Sequence, residues 1–484
     1  MRNERQNAKE EELRELFQGC ADVKFQRVAL VGDGEAGDWN ALLVYCEGLA
    51  DDKRIDQAVL PQLDRLTAAQ VAAGQIGNLA FELVPGDKQS VVDAVFAGKL
   101  LLLFDRDPQL RSLDIADTPQ RKPEESNTEV SVKGPRDGFT EQLATNVALI
   151  RKRLRTESLH CERFVVGRRS RTQVALLYVD DIINPDIVAK ARQRIVGIDV
   201  DAIVGSEELA ESISDAPYRV FPSLDYSGRP DFAVEALMRG RFIVVVDGTP
   251  MVLLAPTTLT SLLKTPEDIH ASYLYVAVES LLRFTGLFVG ILLPGFFIAL
   301  ISFQLDQIPF TTIATIINVR KGIPIPAPLE AFVMQVFFEM FREAGIRLPK
   351  GVGQTVTVVG GLFIGQAAID AGLTSPAMLV VTALSTVSTY TLVNQSLSGL
   401  VMLLRMFVLA CASFLGMYGF FLGVFGILLY LSRLESFGVP YLAPLSPPVL
   451  KDMLMALLTK PRTLVRERPS IYATKDKGRK EDGK

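Results

Sequence analysis

Between Lys350 and Arg433 the chain carries only two charged residues, Asp370 and Arg405. Every other residue in that stretch is apolar, small or uncharged polar. One bilayer-crossing helix needs about 20 mainly apolar residues. Several such segments in series would not stay soluble, so the pattern predicts a multi-pass membrane domain.

The rest of the chain has the opposite character. Residues 1–265 are rich in Asp, Glu, Lys and Arg, and no uncharged run among them is long enough to span. The expected fold class is therefore α+β with a membrane part: an N-terminal soluble α/β region of two similar subdomains, then a multi-pass α-helical transmembrane domain. The divisions fall at 1–130 (first subdomain plus linker), 131–265 (second subdomain), 266–445 (membrane domain) and 446–484 (basic tail). A net charge of −4 over 484 residues gives no reason to expect a nucleic-acid partner. The start, MRNERQNAKEEELRELF, lacks the apolar core of a signal peptide. The large polar region is expected to stay on the side where it was made, and the Lys- and Arg-rich tail is expected to be cytoplasmic too. Both ends on one side require an even number of spans. Cys20, Cys46, Cys161 and Cys411 have no metal or redox spacing, and His160 and His270 are the only histidines. No metal or other cofactor is expected.

Two passages recur in the same order within the soluble half. Ala41–Tyr45 and Val174–Tyr178 are apolar strands, each followed by an acidic turn and a helix-like stretch (55–66 and 185–195). Gly98–Asp105 and Gly240–Asp247 both read as Gly, a basic residue, an apolar strand and Asp. Asp247-Gly248 then leads into Met251–Leu254, a hairpin signal with a turn longer than two residues. Two α/β subdomains follow, roughly 20–120 and 140–256, joined by a polar, Pro-containing linker. No Gly-rich phosphate loop follows any strand. Between Phe139 and Arg155, Leu143, Val147, Ile150 and Leu154 have helical spacing, with Arg151, Lys152, Arg153 and Arg155 as a basic cluster. Such a cluster is either a solvated face or a surface for acidic groups or lipid headgroups.

The first span is expected within 272–303. Phe284–Phe303 is free of charge, and Glu279 and Arg283 precede it at i,i+4 spacing, where they can pair. Pro294 should bend this helix and free a carbonyl that must find another partner. Residues 308–317 are too short to span and read as a re-entrant or surface passage. Residues 329–344 read as an amphipathic helix, with Phe332, Val336 and Met340 on one face and Gln335, Glu339 and Arg342 on another. Hydroxyls crowd 375–393, where they ordinarily bond to their own backbone. Residues 397–415 and 416–432 are two further runs. Arg405 in the first is either a functional charge or a snorkelling one. Gly416, Gly419, Gly423 and Gly426 suggest close helix contacts.

Residues 353–369, GQTVTVVGGLFIGQAAI, are the thinnest helix in the chain. Gly353, Gly360, Gly361 and Gly365 permit close helix approach. One arrangement buries this helix in the bundle. The other sets it beside its own copies around an axis, with Val359, Leu362 and Phe363 as an apolar constriction and Asp370 as a ring of carboxylates at the mouth.

Four collinear passages then carry a specific resemblance: KGPRDGFTEQLATNVALIRKR (133–153), RPDFAVEALMRGRFIVVVDGTPMVLLAP (229–256), residues 330–375 and LESFGVPYLAP (434–444). They resemble A subunits of GerA-type spore germination receptors over about 130–445. The resemblance implies a subunit of a nutrient receptor in the spore's inner membrane, with its N-terminal region and tail on the core side. It implies a ring of copies around an ion-conducting path, a transporter-like B subunit that binds germinant, and a lipoprotein C subunit. Gln335 departs from the Glu common in such proteins, and Val393 from a common proline. The same motifs are similar to an accessory, non-conducting subunit associated with the dipicolinate channel, which is the alternative role. An enzyme is not expected, because no His or Cys stands beside the carboxyl groups of the membrane half.

Overall fold

The computed structural model describes residues 2–30, 39–63, 81–105, 107–117, 134–215, 220–347, 365–392, 394–457 and 467–478. The first subdomain is a five-stranded sheet of β1 (Val23–Leu30), β2 (Trp39–Cys46), β3 (Glu82–Leu83), β4 (Lys99–Phe104) and β5 (Asp107–Asp114), in the order β1-β2-β4-β5-β3. The second uses β6 (Leu159–Val166), β7 (Thr172–Val179), β8 (Asp225–Ser227), β9 (Phe242–Val246) and β10 (Val252–Ala255), in the equivalent order β6-β7-β9-β10-β8. The recurring passages occupy matching places: Ala41–Tyr45 lies in β2 and Val174–Tyr178 in β7, while the Gly-basic passages become β4 and β9. All the pairings are antiparallel.

The central strands read as unbroken apolar runs because both of their faces are covered. In β4, Leu101 and Leu103 enter one core, and Leu100, Leu102 and Phe104 the other. In β9, Phe242, Val244 and Val246 face one way, and Ile243 and Val245 the other. In the first subdomain α1 (Arg2–Leu16) and α2 (Lys88–Phe96) cover one face, and the helical stretch 52–63, through Ile55, Val59 and Leu63, covers the other. The second has α3 (Leu143–Arg153), α4 (Pro185–Val196), α5 (Ser206–Ser212) and α6 (Pro230–Met238).

Helix α3 joins the two subdomains. Its Val147 and Ile150 pack in the second subdomain and its Ala148 in the first. The basic cluster is divided between two tasks. Arg151 is fully buried and forks onto Asp22 at 2.9 and 2.8 Å, with its guanidinium 4.2 Å from the Phe96 ring. Arg153 pairs with Asp137. Backbone bonds between Ala21 and Cys161 (3.0 Å) and between Cys161 and Gly19 (2.8 Å) close the same seam. Three buried cysteines surround the Asp22–Arg151 pair, and burial raises the thiols of Cys20 (to about 11), Cys46 and Cys161, which disfavours the thiolate.

After the soluble domain come α7 (Tyr273–Phe303), α8 (Phe310–Arg320), α9 (Ala327–Arg347), α10 (Pro376–Thr389), α11 (Gln395–Arg433) and α12 (Leu450–Leu457). Among the described residues two helices are long and apolar enough to cross a membrane, Tyr273–Phe303 and Ser396–Arg433. The second is not one rod. Gly416 has φ 61° and ψ −140°, and a Cβ there would lie 2.7 Å from the Phe303 ring, so only glycine fits. Beyond it the chain turns back: a Cβ on Gly423 would meet Cys411 at 3.5 Å and Phe407 at 3.8 Å. In a straight helix residues 407 and 423 would be about 24 Å apart. Residues 395–415 and 417–433 are thus antiparallel arms, as the two separate sequence runs suggest.

The chain then returns to the second subdomain. A strap at 435–441 places Phe437 in its core, edge-on to Phe242 at 4.9 Å. Residues 467–478 dock beside it: Arg468 donates to the Met238 carbonyl at 3.0 Å, Lys475 N–H to the Ile182 carbonyl at 2.9 Å, and Tyr472 is buried.

Candidate functional site: a polar node in the bundle and its junction with the soluble domain

The bundle is organised by a proline. Pro294 has no N–H, so the carbonyl of Gly290, four residues earlier, loses its helical donor. Two side chains replace it. Ser385 of α10 donates at 2.9 Å, and Arg405 of α11 donates through Nε at 2.7 Å. Arg405 also donates to Gln335 Oε1 on α9 at 2.8 Å, and more distantly to Thr386 Oγ1 and the Ser385 carbonyl, both at 3.4 Å. It is 2% exposed, so it does not snorkel. Four helices therefore meet at one guanidinium. Among the described residues the guanidinium is held by dipoles, with no carboxylate in contact with it, and Gln335 Nε2 has no hydrogen-bond partner. The other hydroxyls of α10 bond within their own helix, as Thr382 does to Met378 and Thr386 to Thr382.

Small residues let these helices approach. A Cβ on Gly295 would lie 2.8 Å from Val408, and one on Gly290 3.3 Å from Val401; one on Gly286 would overlap Thr391. Gly286 and Gly290 form a small-xxx-small spacing legible in the sequence, although the glycines singled out there lay elsewhere. Of those, Gly353, Gly360 and Gly361 lie outside the described residues, as do Val359, Leu362, Phe363 and Val393. Gly365 packs against Leu379 at 3.2 Å from where a Cβ would stand, and Gly426 has open space around it. Asp370 is exposed and accepts from Gln366 at 3.1 Å.

Three ties fix the bundle to the second subdomain. Arg283 pairs with Glu279 at 2.9 Å as its spacing suggests, but it also forks onto Asp268 at 2.8 and 2.9 Å and donates to the Leu263 carbonyl. Asn394 caps α11 and donates to Asp225 Oδ1 at 2.9 Å; Asp225 lies on β8 and meets the buried Arg241 at 3.5 Å. Burial raises the Asp225 carboxyl above its ordinary range, against the pull of Arg241 and Asn394. At the returning end of α11, Tyr430 accepts from the Val220 N–H at 3.2 Å and packs on Phe221. These ties join residues up to 213 positions apart, counting Ser436 on the Ser223 carbonyl, so no local pattern exposes them. The constellation contains no nucleophile beside a base. What it does in the structure is hold the bundle to the second subdomain.

Comparison with known proteins places the whole chain. The family model described as Bacillus/Clostridium GerA spore germination protein matches residues 11–471. Spore germination protein XA of Bacillus anthracis is 41% identical over 475 residues, covering 96% of each chain. Uncharacterized membrane protein YfkQ of Bacillus subtilis (strain 168) is 34% identical, covering 96% of this chain and 90% of its own. Spore germination protein KA of the same organism is 32% identical, covering 92% and 83%. Among solved structures, the N-terminal domain of the A subunit of the Bacillus megaterium spore germinant receptor GerK3 aligns with a TM-score of 0.36 at 26% identity, over 51% of this chain and 92% of that one.

Proposed function

The chain belongs to the Bacillus/Clostridium GerA spore germination protein family, and from that premise we propose that it is the A-type membrane subunit of a nutrient-germinant receptor. In this reading it forms a homo-oligomeric, germinant-gated ion channel in the spore's inner membrane. A transporter-like B subunit binds the nutrient and a lipoprotein C subunit completes the complex. The soluble domain and tail face the core.

Several observations support the reading. The tail docks on the second subdomain, which supports both lying on one side of the membrane with an even number of crossings between them. Helix α7 and the two arms of α11 are three apolar rods, and 31 residues of α7 rise about 46 Å, more than the roughly 30 Å hydrocarbon core. The glycine-studded segment has described flanks at different depths: Arg342 reaches Ser398 at 3.1 Å near the junction end of α11, whereas Gly365 lies against Leu379 towards the far end.

The observation that carries the mechanism is the triple tie between bundle and soluble domain. Moving a two-state equilibrium from 1:99 to 99:1 takes about 5.5 kcal/mol of differential binding. That exceeds any single hydrogen bond, so the signal needs several contacts that shift together, and the Arg283, Asn394 and Tyr430 ties are such a set. Germinant on the partner subunit then favours the arrangement in which the constriction at Val359, Leu362 and Phe363 is open.

The test is electrical. The purified chain in planar bilayers, with the partner subunits, conducts when nutrient is added, and Leu362→Ala conducts without it. A chain that carries no current in either form is a non-conducting accessory subunit.

A further inference from the structure

One face of α7 stays apolar beyond the part that crosses. Leu274, Val278, Leu281 and Leu282 follow at i, i+4, i+7 and i+8, and are 64%, 59%, 55% and 58% exposed. The charged residues of the same turns face the protein instead, with Arg283 only 7% exposed on its Asp268 fork. These turns precede the charge-free stretch Phe284–Phe303, so they project about 16 Å from it, into the headgroup layer on the side of the soluble domain. Tyr273 and Tyr275 lie at the start, exposed, where aromatic belts form.

A second element reaches the same level. Helix α12 packs against α7 and against the turn Leu259–Leu262, next to the Leu263 carbonyl that Arg283 holds. Its Leu450 and Leu454, one turn apart, are exposed, and Lys451 beside them is exposed and paired with Glu467. Asp452 turns inward and accepts from the Ser470 N–H at 2.9 Å.

We propose that α12 is an interfacial helix: Leu450 and Leu454, with the exposed stripe of Leu274–Leu282, form a collar that lies in the headgroup–acyl boundary of the leaflet facing the soluble domain. Its occupant is a lipid surface. The stripe continues without interruption the helix face that enters the bilayer, the flanking tyrosines suit headgroups, and the helix is short with one apolar side. Through Asp452 and Ser470 the collar also holds the docked tail, and with it the second subdomain, against the membrane. This inference rests on the reading that α7 crosses a bilayer.

The chain has one tryptophan, Trp39, so a Trp39→Phe background is spectroscopically clean. Single tryptophans are introduced in the full chain in phosphatidylglycerol-containing liposomes carrying lipids brominated near the headgroup or deep in the chains. Leu454→Trp and Leu450→Trp are quenched several-fold more by shallow than by deep bromines. Phe296→Trp, in mid-helix, is quenched by deep ones, and Val196→Trp on the soluble domain by neither. If Phe296→Trp is quenched while both α12 probes behave like Val196→Trp, the collar is overturned; cross-linking of Leu454→Cys between protomers would then assign the face to a second copy. If Phe296→Trp is unquenched, the membrane reading itself falls.

Discussion

Arg405 Nε lies 2.7 Å from the carbonyl oxygen of Gly290, the very carbonyl that Pro294 deprives of its helical donor. A break in one helix and a charge in another are thus a single feature. The proline creates a strong acceptor in an apolar bundle, and the guanidinium, with five donors, satisfies it while also holding Gln335.

Arg405→Lys keeps the charge but loses the fork. Hydrogen bonds to charged groups contribute roughly 1.5–3 kcal/mol each, so the variant loses about that much stability, read as a lower Tm in detergent. Pro294→Ala returns an N–H to the Gly290 carbonyl and makes Arg405 less necessary. The double variant is therefore less destabilised than the sum of the singles, by about 0.5–3 kcal/mol. Strict additivity would separate the proline from the arginine.

Gln335→Glu tests the missing counter-charge. It removes a buried amide donor that has no partner and places a carboxylate oxygen where Arg405 Nη1 already lies 2.8 Å away. The guanidinium already makes that bond charge-assisted, so the gain comes from turning it into an ion pair: a buried charge without its partner costs about 3–5 kcal/mol, the carboxylate recovers part of that, and the variant melts at a higher temperature. A lower Tm would mean that the node relies on dipoles alone.

The soluble domain has its own electrostatic tie, and it is pH-dependent. Arg229 is 2% exposed and pairs with Asp231 at 2.7 Å and with Glu267. Burial works to raise the Asp231 carboxyl, but the hydrogen bonds from Arg229 and His270 outweigh it and hold it below its ordinary value. A depressed carboxylate contributes stability that is present above the unfolded pKa, about 3.9, and is lost as pH falls through the lower folded value. Arg229→Met therefore costs about 3 kcal/mol at pH 7. The gap between variant and wild type narrows below about pH 4. Urea titrations at pH 7 and pH 3.5 read the two gaps, and an equal gap at both would remove the linkage.

What was legible in the sequence divides along physical lines. The strands β4 and β9 could be read because a strand covered on both faces is an unbroken apolar run, and its repetition after a Gly-basic pair revealed the two subdomains. The need of Pro294 for a substitute donor followed from covalent structure alone. The identity of the donor did not, since Arg405 lies 115 residues from the Gly290 carbonyl it serves and only packing brings it there. Asp22 and Arg151 are hidden in the same way, 129 residues apart; Arg151 looked like one member of a surface cluster because helical spacing does not say which face a second subdomain will cover. Resemblance singles out the passage 434–444, but nothing local in it tells that Phe437 packs inside the second subdomain's core.

That passage gives the most direct test of coupling. Phe437 is 1% exposed, sits edge-on to Phe242, has the Arg194 guanidinium 4.4 Å from its ring and takes a positive φ of 52°. Truncating a buried Phe to Ala costs about 3–5 kcal/mol, and this ring is an anchor of the strap in the second subdomain's core. The loss therefore appears as local detachment rather than global unfolding. In Phe437→Ala, trypsin cuts after Arg433 many-fold faster while the Asp22–Arg151 seam stays protected. Spores carrying the variant insert the protein normally yet respond weakly to nutrient, because the returning arm of α11 no longer moves with the second subdomain. Phe437→Leu, which keeps most of the buried volume, retains most of the response. A Phe437→Ala protein with wild-type proteolysis and wild-type germination would show that the strap transmits nothing.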